Sequence, residues 1–290
     1  MSCNITSHSS RTNNSWLFAP SSLILANNYL PLNGALAVSV ELSMIIQNND
    51  EKIETFNRFL NEKLSNICSI KSDDSRLFKQ ILFVTFLDSL AASVFPNRSN
   101  KDRFIALIDR FSNWDKRNDI CLLHLAKFCS VNSDPTLEKI RIYSHEQVKL
   151  LLSKKDGKGC ITLDQLPNSN EIKEHWSQPS KDSKVEYQIN DFKYSALLYK
   201  LRNSLVHQFQ SKGTELGVYL PEYPFYQVVN KFTDNYGFQP TKVELVYPTV
   251  FIENLCNTIL GNVMEYFKKG NINPFPHYYS GEYWLEGLNR

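Results

Sequence analysis

The sequence predicts a mainly α-helical protein that carries a small β-ribbon. Over most of the chain apolar residues recur every three or four positions, which is the spacing of one buried helix face. Two short segments of the C-terminal third, 217–220 and 242–247, have the composition of strands and are expected to pair as a ribbon. The 290 residues include 42% hydrophobic and 21% charged residues, a globular composition that excludes a disordered or collagen-like chain.

The helix boundaries follow from this spacing and from the residues that interrupt it. Helices are predicted at 35–46, 53–67, 75–95, 103–114, 119–131, 136–153, 191–210 and 250–269. Pro96 ends the third helix, and Gly270 with Pro274 ends the last. The segment 75–95 is apolar on almost every side, so we expect it to be a central, buried helix.

The domain organisation follows from the place where this periodicity fails. Between 153 and 185 Gly, Pro, Ser and Lys dominate, which predicts a mobile excursion. We therefore expect a main domain at 75–270 that contains this excursion. Residues 1–74 are expected to form an N-terminal helical extension packed on the core, and 271–290 a C-terminal tail.

The charge and the cysteines bear on partners and location. Thirty-two Lys and Arg against thirty Asp and Glu give a net charge of +2, so a nucleic acid must be met at a local site and not by a broad basic surface. No export signal is recognised, and Pro31 and Glu41 interrupt the apolar stretch 29–46, so no membrane partner is expected. Six Cys without CxxC spacing favour reduced thiols and a cytoplasmic location.

The predicted helix 191–210 combines an apolar stripe with a reactive polar run. Its stripe, which is expected to face the core, consists of Tyr194, Leu197, Leu198, Leu201 and Leu205. Asn203 and His207 are neighbours on the opposite side, with Ala196 and Lys200 one or two turns before them, and Arg202 lies between the two faces. Arg is a permanent bidentate phosphate ligand, and His can move a proton. On a straight helix Arg202 and His207 diverge by ~140°, which favours two facing helices over one as the source of a joint site.

The segment 198–208, Leu-Tyr-Lys-Leu-Arg-Asn-Ser-Leu-Val-His-Gln, resembles the signature of HEPN-superfamily ribonucleases. That signature is an Arg followed by a polar residue, and then a His after four to six residues. Here four residues separate Arg202 from His207, and Asn203 is the polar residue. The resemblance is specific over eleven residues and is supported by the order of the helices over 75–269. It does not account for the first seventy residues or for the excursion.

The resemblance implies both a fold and an activity. HEPN proteins are antiparallel α-helical bundles, commonly dimeric, and often act in bacterial toxin–antitoxin, abortive-infection or antiviral defence systems. We therefore expect a metal-independent endoribonuclease that needs no cofactor and cleaves RNA. The resemblance further implies a homodimer in which two copies of Arg202 and His207 share one cleft, and an antitoxin or other regulatory protein as a further partner.

The resemblance also implies a role for each residue of the motif. His207 takes the proton from a ribose 2′-OH, and Arg202 binds the phosphate and stabilises its growing negative charge. Asn203 orients the imidazole or the phosphate by hydrogen bonds. Tyr199 and Lys200 are expected to bind substrate. A subgroup that is regulated by nucleotidylation has Tyr two residues after the His, whereas this chain has Phe209, so that regulation is not expected.

Two other interpretations of the same residues stay open. A HEPN-like module can keep the fold and bind RNA or a protein without cleaving anything. Alternatively, Arg202, Asn203 and His207 form the solvated face of a scaffolding helix, since short motifs recur by chance. RNA cleavage by the intact chain and its mass in solution discriminate these cases.

Asp88 is the one charged residue of 81–95, and we consider it a supporting residue of the site. Burying a carboxylate without a partner is costly, so it needs one. Arg202 or His207 would serve, and the alternative is a backbone end or water.

The remaining candidates are weaker. Cys121, His124 and Cys129 lie on one side of a predicted helix, but their spacing matches no zinc pattern and both residue types often fill a core, so no metal is expected. A cluster of aromatic residues could stack on unpaired bases, although packing of the ribbon onto the bundle is the better explanation. This cluster consists of Tyr219, Tyr223, Phe225, Tyr226 and Tyr236.

Overall fold

A computed structural model describes residues 48–72, 74–153, 159–178, 188–211, 213, 221–229 and 242–278. These residues all belong to one compact unit, Ile46–Arg290. The helix expected at 35–46 and the strand expected at 217–220 lie outside the described residues.

The described part of the chain is mainly helical, as the periodicity predicts. Its helices are α1 (Asn49–Cys68), α2 (Ser75–Val94), α3 (Asn100–Phe111), α4 (Leu122–Val131), α5 (Glu138–Ser153), α6 (Ser169–Glu174), α7 (Tyr194–Gln208) and α8 (Thr249–Gly270). Several of them, α1 and α3 among them, begin at side-chain caps that satisfy free backbone N–H groups. The Asn48 side chain accepts from the N–H of Asp50 at the start of α1, and the Ser99 hydroxyl accepts from that of Asp102 in α3.

Helix α2 lies at the centre of the bundle and packs against α1, α3, α7 and α8. Gln80 of α2 accepts a bond from Ser211, which lies just after α7, and Asp88 accepts one from Arg202 in the middle of α7, so these two helices run antiparallel. Helices α1 and α8 are antiparallel as well, because Glu54 pairs with Lys268. By contrast, the bonds from Gln80 to Thr249 and from Cys256 to Phe83 show that α2 and α8 run in the same direction.

The expectation that α2 is buried on almost every side is wrong. Phe78 is 41% and Leu82 is 39% exposed, and Thr85 one turn later is also exposed. These three residues share one face by helical spacing, and we call this face the α2 strip. The neighbouring helices cover only the other sides of α2, where residues such as Phe83 and Leu87 are fully buried.

The apolar character of α2 raises the question of a membrane. Among the described residues it is the one helix whose length and hydropathy would allow a span, and 44% of its most apolar window is buried inside the protein. Its contacts with four other helices are typical of the central helix of a soluble bundle.

A small antiparallel sheet packs on the bundle. Its strands are β1 (Cys160–Thr162), β2 (Phe225–Val229) and β3 (Lys242–Val246), in the order β1-β2-β3. In the described residues β3 pairs with β2, with Tyr226 opposite Leu245. The expected pairing of β3 with 217–220 lies outside the described residues. Strand β1 and helix α6 both come from the segment that was expected to be a mobile excursion. Successive side chains of β2 point to opposite faces of the sheet. Tyr226 faces the main core, and Phe225 forms a small cluster with Cys160 and Val246 on the other face.

Both ends of the described chain join the same core. Helix α8 ends at Gly270, and Asn271 follows with a left-handed φ of 46°. Phe275 and Tyr278, which belong to the predicted tail, then place their rings 5.5 and 5.0 Å from that of Phe56 in α1. The beginning of the tail is therefore part of the fold.

Candidate functional site

The motif helix α7 is held in place at both of its ends. Before it, Asp191 accepts hydrogen bonds from the N–H of Gln188 and from Lys101 Nζ of α3, the latter at 2.8 Å. Burial alone would raise the pKa of Asp191, but these bonds reverse the effect and leave the pKa lowered. After it, Phe209 adopts a left-handed conformation with φ 53°, and its N–H bonds the carbonyl of Ser204.

The core face of α7 is confirmed, but its polar face is narrower than the sequence predicts. Tyr194, Leu197, Leu198, Leu201 and Leu205 are all buried. Ala196 was expected beside Asn203 and His207 on the outside, yet it is only 3% exposed, so this placement is wrong. The reason is that α7 packs against both α2 and α3, which covers more than one of its faces.

Arg202 and Asp88 form a largely buried ion pair. Arg202 Nη2 donates to Asp88 Oδ2 over 2.6 Å, and the two side chains are 12% and 14% exposed. Of the partners considered for Asp88, the structure therefore selects Arg202. A charge-assisted bond of this length is strong, and it fixes the guanidinium relative to α2.

Arg202 also reaches the other two residues of the motif. Its Nη1 donates to Asn203 Oδ1 over 3.0 Å and lies 3.3 Å from His207 Nε2. One copy of the helix is thus enough to bring Arg202 and His207 into contact, although their angular divergence favours two facing helices. The angle of ~140° describes the Cα–Cβ directions, whereas the long Arg side chain folds back along the helix surface to the exposed imidazole.

The two expected substrate-binding residues lie in different places. Tyr199 is half-buried, with its ring 5.6 Å from that of Phe104 and 5.9 Å from Arg202 Cζ, so it lines one side of the guanidinium. Lys200 is exposed, and its Nζ approaches the carbonyl of Asp191 at 3.4 Å, near the other end of α7 from His207. Tyr199 joins the Arg202 cluster, and Lys200 contacts the beginning of the helix.

Arg103 of α3 is a member of this site that the sequence did not indicate. Its Nη2 lies 4.0 Å from Asp88 Oδ1, on the other oxygen from the one that Arg202 holds, and its side chain is 21% exposed. Arg103 precedes Arg202 by about a hundred residues and matches no motif, so only the packing of α3 beside α2 and α7 reveals it. Two guanidinium groups and one carboxylate leave a net charge of +1 before His207 is counted.

Three polar atoms of this cluster are buried without a hydrogen-bond partner in the described residues. They are Asp88 Oδ1, Arg103 Nε and Arg202 Nε. Buried polar groups are almost always paired, so an unpaired set of one acceptor and two donors is unusual. Among the described residues the cluster therefore has two unused hydrogen-bond donors and one unused acceptor, and it carries an excess of positive charge.

The Cys121 cluster is a buried network of thiol and phenol groups. Cys121 Sγ lies 2.7 Å from Tyr226 Oη and 3.0 Å from His124 Nδ1, and Tyr226 Oη lies 2.8 Å from Tyr194 Oη. Burial raises the pKa of Cys121 to about 11, which keeps the thiol protonated and makes it a poor nucleophile or metal ligand. The network ties β2 to α4 and α7, and Cys129 is also buried.

The other candidates are placed as follows. The described residues hold no group of three His, Cys, Asp or Glu side chains arranged for a metal ion. Phe225 and Tyr226 are buried as core residues, as expected, whereas Tyr223 is 70% exposed. Tyr219 and Tyr236 lie outside the described residues.

No protein-family model matches this chain, and no curated protein or solved structure matches it either. The Arg202 guanidinium, held by Asp88 and Asn203, can bind a phosphate, and the exposed His207 imidazole in contact with it can accept a proton.

Proposed function

We propose that this chain is a metal-independent endoribonuclease of HEPN type that acts in a bacterial toxin, abortive-infection or antiviral defence system. The observation that carries the proposal is the distance of 3.3 Å between Arg202 Nη1 and His207 Nε2. The two groups that the motif requires for phosphate binding and proton transfer are therefore in contact, and the His207 imidazole is exposed. A mainly helical fold with α2 and α7 antiparallel supports the HEPN arrangement.

The proposed reaction uses only groups of this chain and of the RNA. His207 removes the proton from a ribose 2′-OH, and the 2′ oxygen attacks the adjacent phosphorus. Arg202 binds the phosphate and stabilises the negative charge that develops on its oxygens. The bond to the 5′ oxygen breaks, that oxygen takes a proton from water, and a 2′,3′-cyclic phosphate remains. Asn203, whose Oδ1 accepts from Arg202, holds the guanidinium in position.

We infer that the active form is a homodimer and that the α2 strip forms part of its interface. Phe78, Leu82 and Thr85 are exposed on α2, and Asp88 follows Thr85 on the neighbouring edge of the same helix. Apolar residues next to a charged site are typical of interaction surfaces. A second copy that covers the strip brings its own Arg202 and His207 close to those of the first. An antitoxin or other regulatory protein is the further partner of the proposal.

A second candidate function is a HEPN-like binding module that does not cleave RNA. One observation favours it: Nη1 and Nη2 of Arg202 already contact Asp88, Asn203 and His207 in the free protein. The guanidinium can therefore have a structural role instead of a catalytic one. In this case the chain would bind RNA or a protein partner and leave the RNA intact.

Cleavage of RNA by the purified full chain separates the two candidates. Wild-type protein should cut single-stranded RNA in EDTA, and His207→Ala should abolish cutting while leaving the melting temperature unchanged. His145→Ala is the matched control, because His145 is an exposed histidine of α5 outside the site. RNA that is bound but not cut by the wild type would favour the binding module.

A further inference from the structure

Arg103 is the group of the site with the fewest partners. Its Nη2 approaches Asp88 Oδ1 only to 4.0 Å, which is beyond hydrogen-bond distance, and its Nε is buried without a partner in the described residues. Arg202, by contrast, has bonds to Asp88 and Asn203 and lies against His207. A guanidinium that is mostly buried and largely unpaired is costly unless it serves a ligand.

The position of Arg103 relative to Asp88 restricts what that ligand can be. The carboxylate lies between the two guanidinium groups, with Oδ2 on Arg202 and Oδ1 towards Arg103. The ligand must accept hydrogen bonds and carry negative charge, since guanidinium groups only donate and the cluster has an excess of positive charge. Arg is also the side chain whose planar fork suits phosphate.

We propose that Arg103 binds a second phosphate of the RNA strand, next to the one held by Arg202 and His207. This inference rests on the proposed function. The contact of Arg202 with His207 identifies Arg202 as the ligand of the phosphate that is cut. Arg103 approaches the opposite oxygen of the intervening carboxylate, so it serves a neighbouring phosphate and not the scissile one. RNA supplies such a group because every nucleotide of a strand carries one phosphate.

A second phosphate contact has a specific signature in salt. Each phosphate that a protein neutralises on a single strand contributes about 0.7 to the slope of log K against log salt concentration. Arg103→Ala should therefore weaken binding about tenfold and reduce the slope by about 0.7. A purely structural role would lower the melting temperature without changing the slope of the folded protein.

The experiment measures binding of a fluorescent single-stranded RNA whose 2′-OH groups are methylated, so that the 2′ oxygen cannot attack and the strand cannot be cut. Full-length wild type, Arg103→Ala, Arg103→Lys and Arg110→Ala are titrated at several salt concentrations, after thermal melting has shown that each is folded. Arg103→Lys keeps the charge and should keep the slope, and Arg103→Gln, which removes the charge but keeps a polar side chain, replaces Arg103→Ala if that variant does not fold. Arg110→Ala is the control, since this exposed arginine of the same helix stacks on Tyr266 away from Asp88.

The outcomes separate this inference from the proposed function. A reduced slope for Arg103→Ala alone supports the second phosphate site, even if the wild type proves unable to cleave ordinary RNA. An unchanged slope and affinity overturn it, even if cleavage depends on His207. If the wild type does not bind RNA at any salt concentration, both the second phosphate site and the proposed function fail.

Discussion

Asp88 precedes Arg202 by 114 residues, and its Oδ2 accepts a 2.6 Å hydrogen bond from Arg202 Nη2. This bond joins the central helix α2 to the motif helix α7. It also holds the guanidinium while its Nη1 approaches His207 Nε2 at 3.3 Å. The position of the Arg–His pair therefore depends on a carboxylate from another helix.

The ion pair should contribute to stability, which a surface motif would not do. Arg202→Ala and Asp88→Ala should each lower the free energy of unfolding by about 2 to 3 kcal/mol, somewhat less than for a fully buried pair because both side chains keep some solvent contact. His207→Ala should change it by less than ~0.5 kcal/mol, as an exposed residue does. Urea denaturation measures all three variants.

Replacing both Asp88 and Arg202 by apolar residues tests whether the single variants lose stability because each leaves one charge unpaired. Asp88→Leu combined with Arg202→Met removes both charges of the pair, so the double variant should be more stable than either single variant while cleavage stays absent. Recovery should stop short of the wild type, because Arg103 loses the carboxylate beside it. If the single variants are as stable as the wild type, the two groups are not held together in solution.

The α2 strip should control dimer formation. Leu82→Glu places a charge on an apolar side chain that is 39% exposed, so it should give monomers that no longer cleave RNA and keep the wild-type melting temperature. Ile142→Glu is the control, since Ile142 is an exposed apolar residue of α5. Light scattering measures the mass. A dimer that persists in Leu82→Glu would exclude the strip from the interface.

Ala196→Glu should have a different effect from the one that the helical pattern suggests. Ala196 is 3% exposed, so a glutamate there buries a charge within the fold. We expect a loss of several kcal/mol or a failure to fold, by thermal melting, and no stable monomer. A well-folded Ala196→Glu monomer would show instead that this face of α7 is open to solvent.

The buried thiol and phenol network should make the fold sensitive to alkali. Burial raises the pKa of Cys121 to about 11 and that of Tyr194 and Tyr226 well above the usual value. In the unfolded chain these groups ionise at lower pH, so the unfolded state releases protons that the folded state retains. The free energy of unfolding should therefore fall as the pH rises above about 8.5.

The Cys121 share of this effect can be measured with one variant. The serine of Cys121→Ser does not ionise in this range and keeps a hydrogen-bonding group beside Tyr226. Between about pH 8 and pH 10 the free energy of unfolding should therefore fall less in this variant than in the wild type, and the difference should be about 1 to 2 kcal/mol. Urea denaturation at each pH gives the slope. Parallel slopes for the wild type and Cys121→Ser would mean that the thiol ionises equally well in the folded protein.

Local features of the fold could be predicted from the sequence, and distant contacts could not. The periodicity of Tyr194 to Leu205 identifies the core face of α7, because helix geometry alone determines which residues share a face. Strand β2, which pairs with both β1 and β3, was not predicted, because strand pairing depends on contacts far apart in sequence. Strand β1 was missed because its three residues lie in a segment rich in Gly, Ser and Lys.

In the candidate site, too, local patterns could be predicted from the sequence and distant contacts could not. The spacing of Arg202, Asn203 and His207 is a local pattern, and it identified the motif. The role of Asp88 was left open between several partners, because a lone charge in an apolar helix shows a need for a partner without identifying it. The sequence did not indicate that Arg103 belongs to the site, because Arg103 comes close to Asp88 only when α3 packs beside α2.

The most direct test of the account uses an RNA with a single 2′-deoxy nucleotide on the 5′ side of a mapped cut. In EDTA the wild-type protein should lose cutting at that phosphate alone, and mass spectrometry should find a 2′,3′-cyclic phosphate or its hydrolysis product at the remaining cuts. This result is expected because the 2′-OH is the nucleophile and His207 with Arg202 supplies the remaining chemistry. Continued cutting at the deoxy position, or cutting that EDTA abolishes and Mg²⁺ restores, would contradict it.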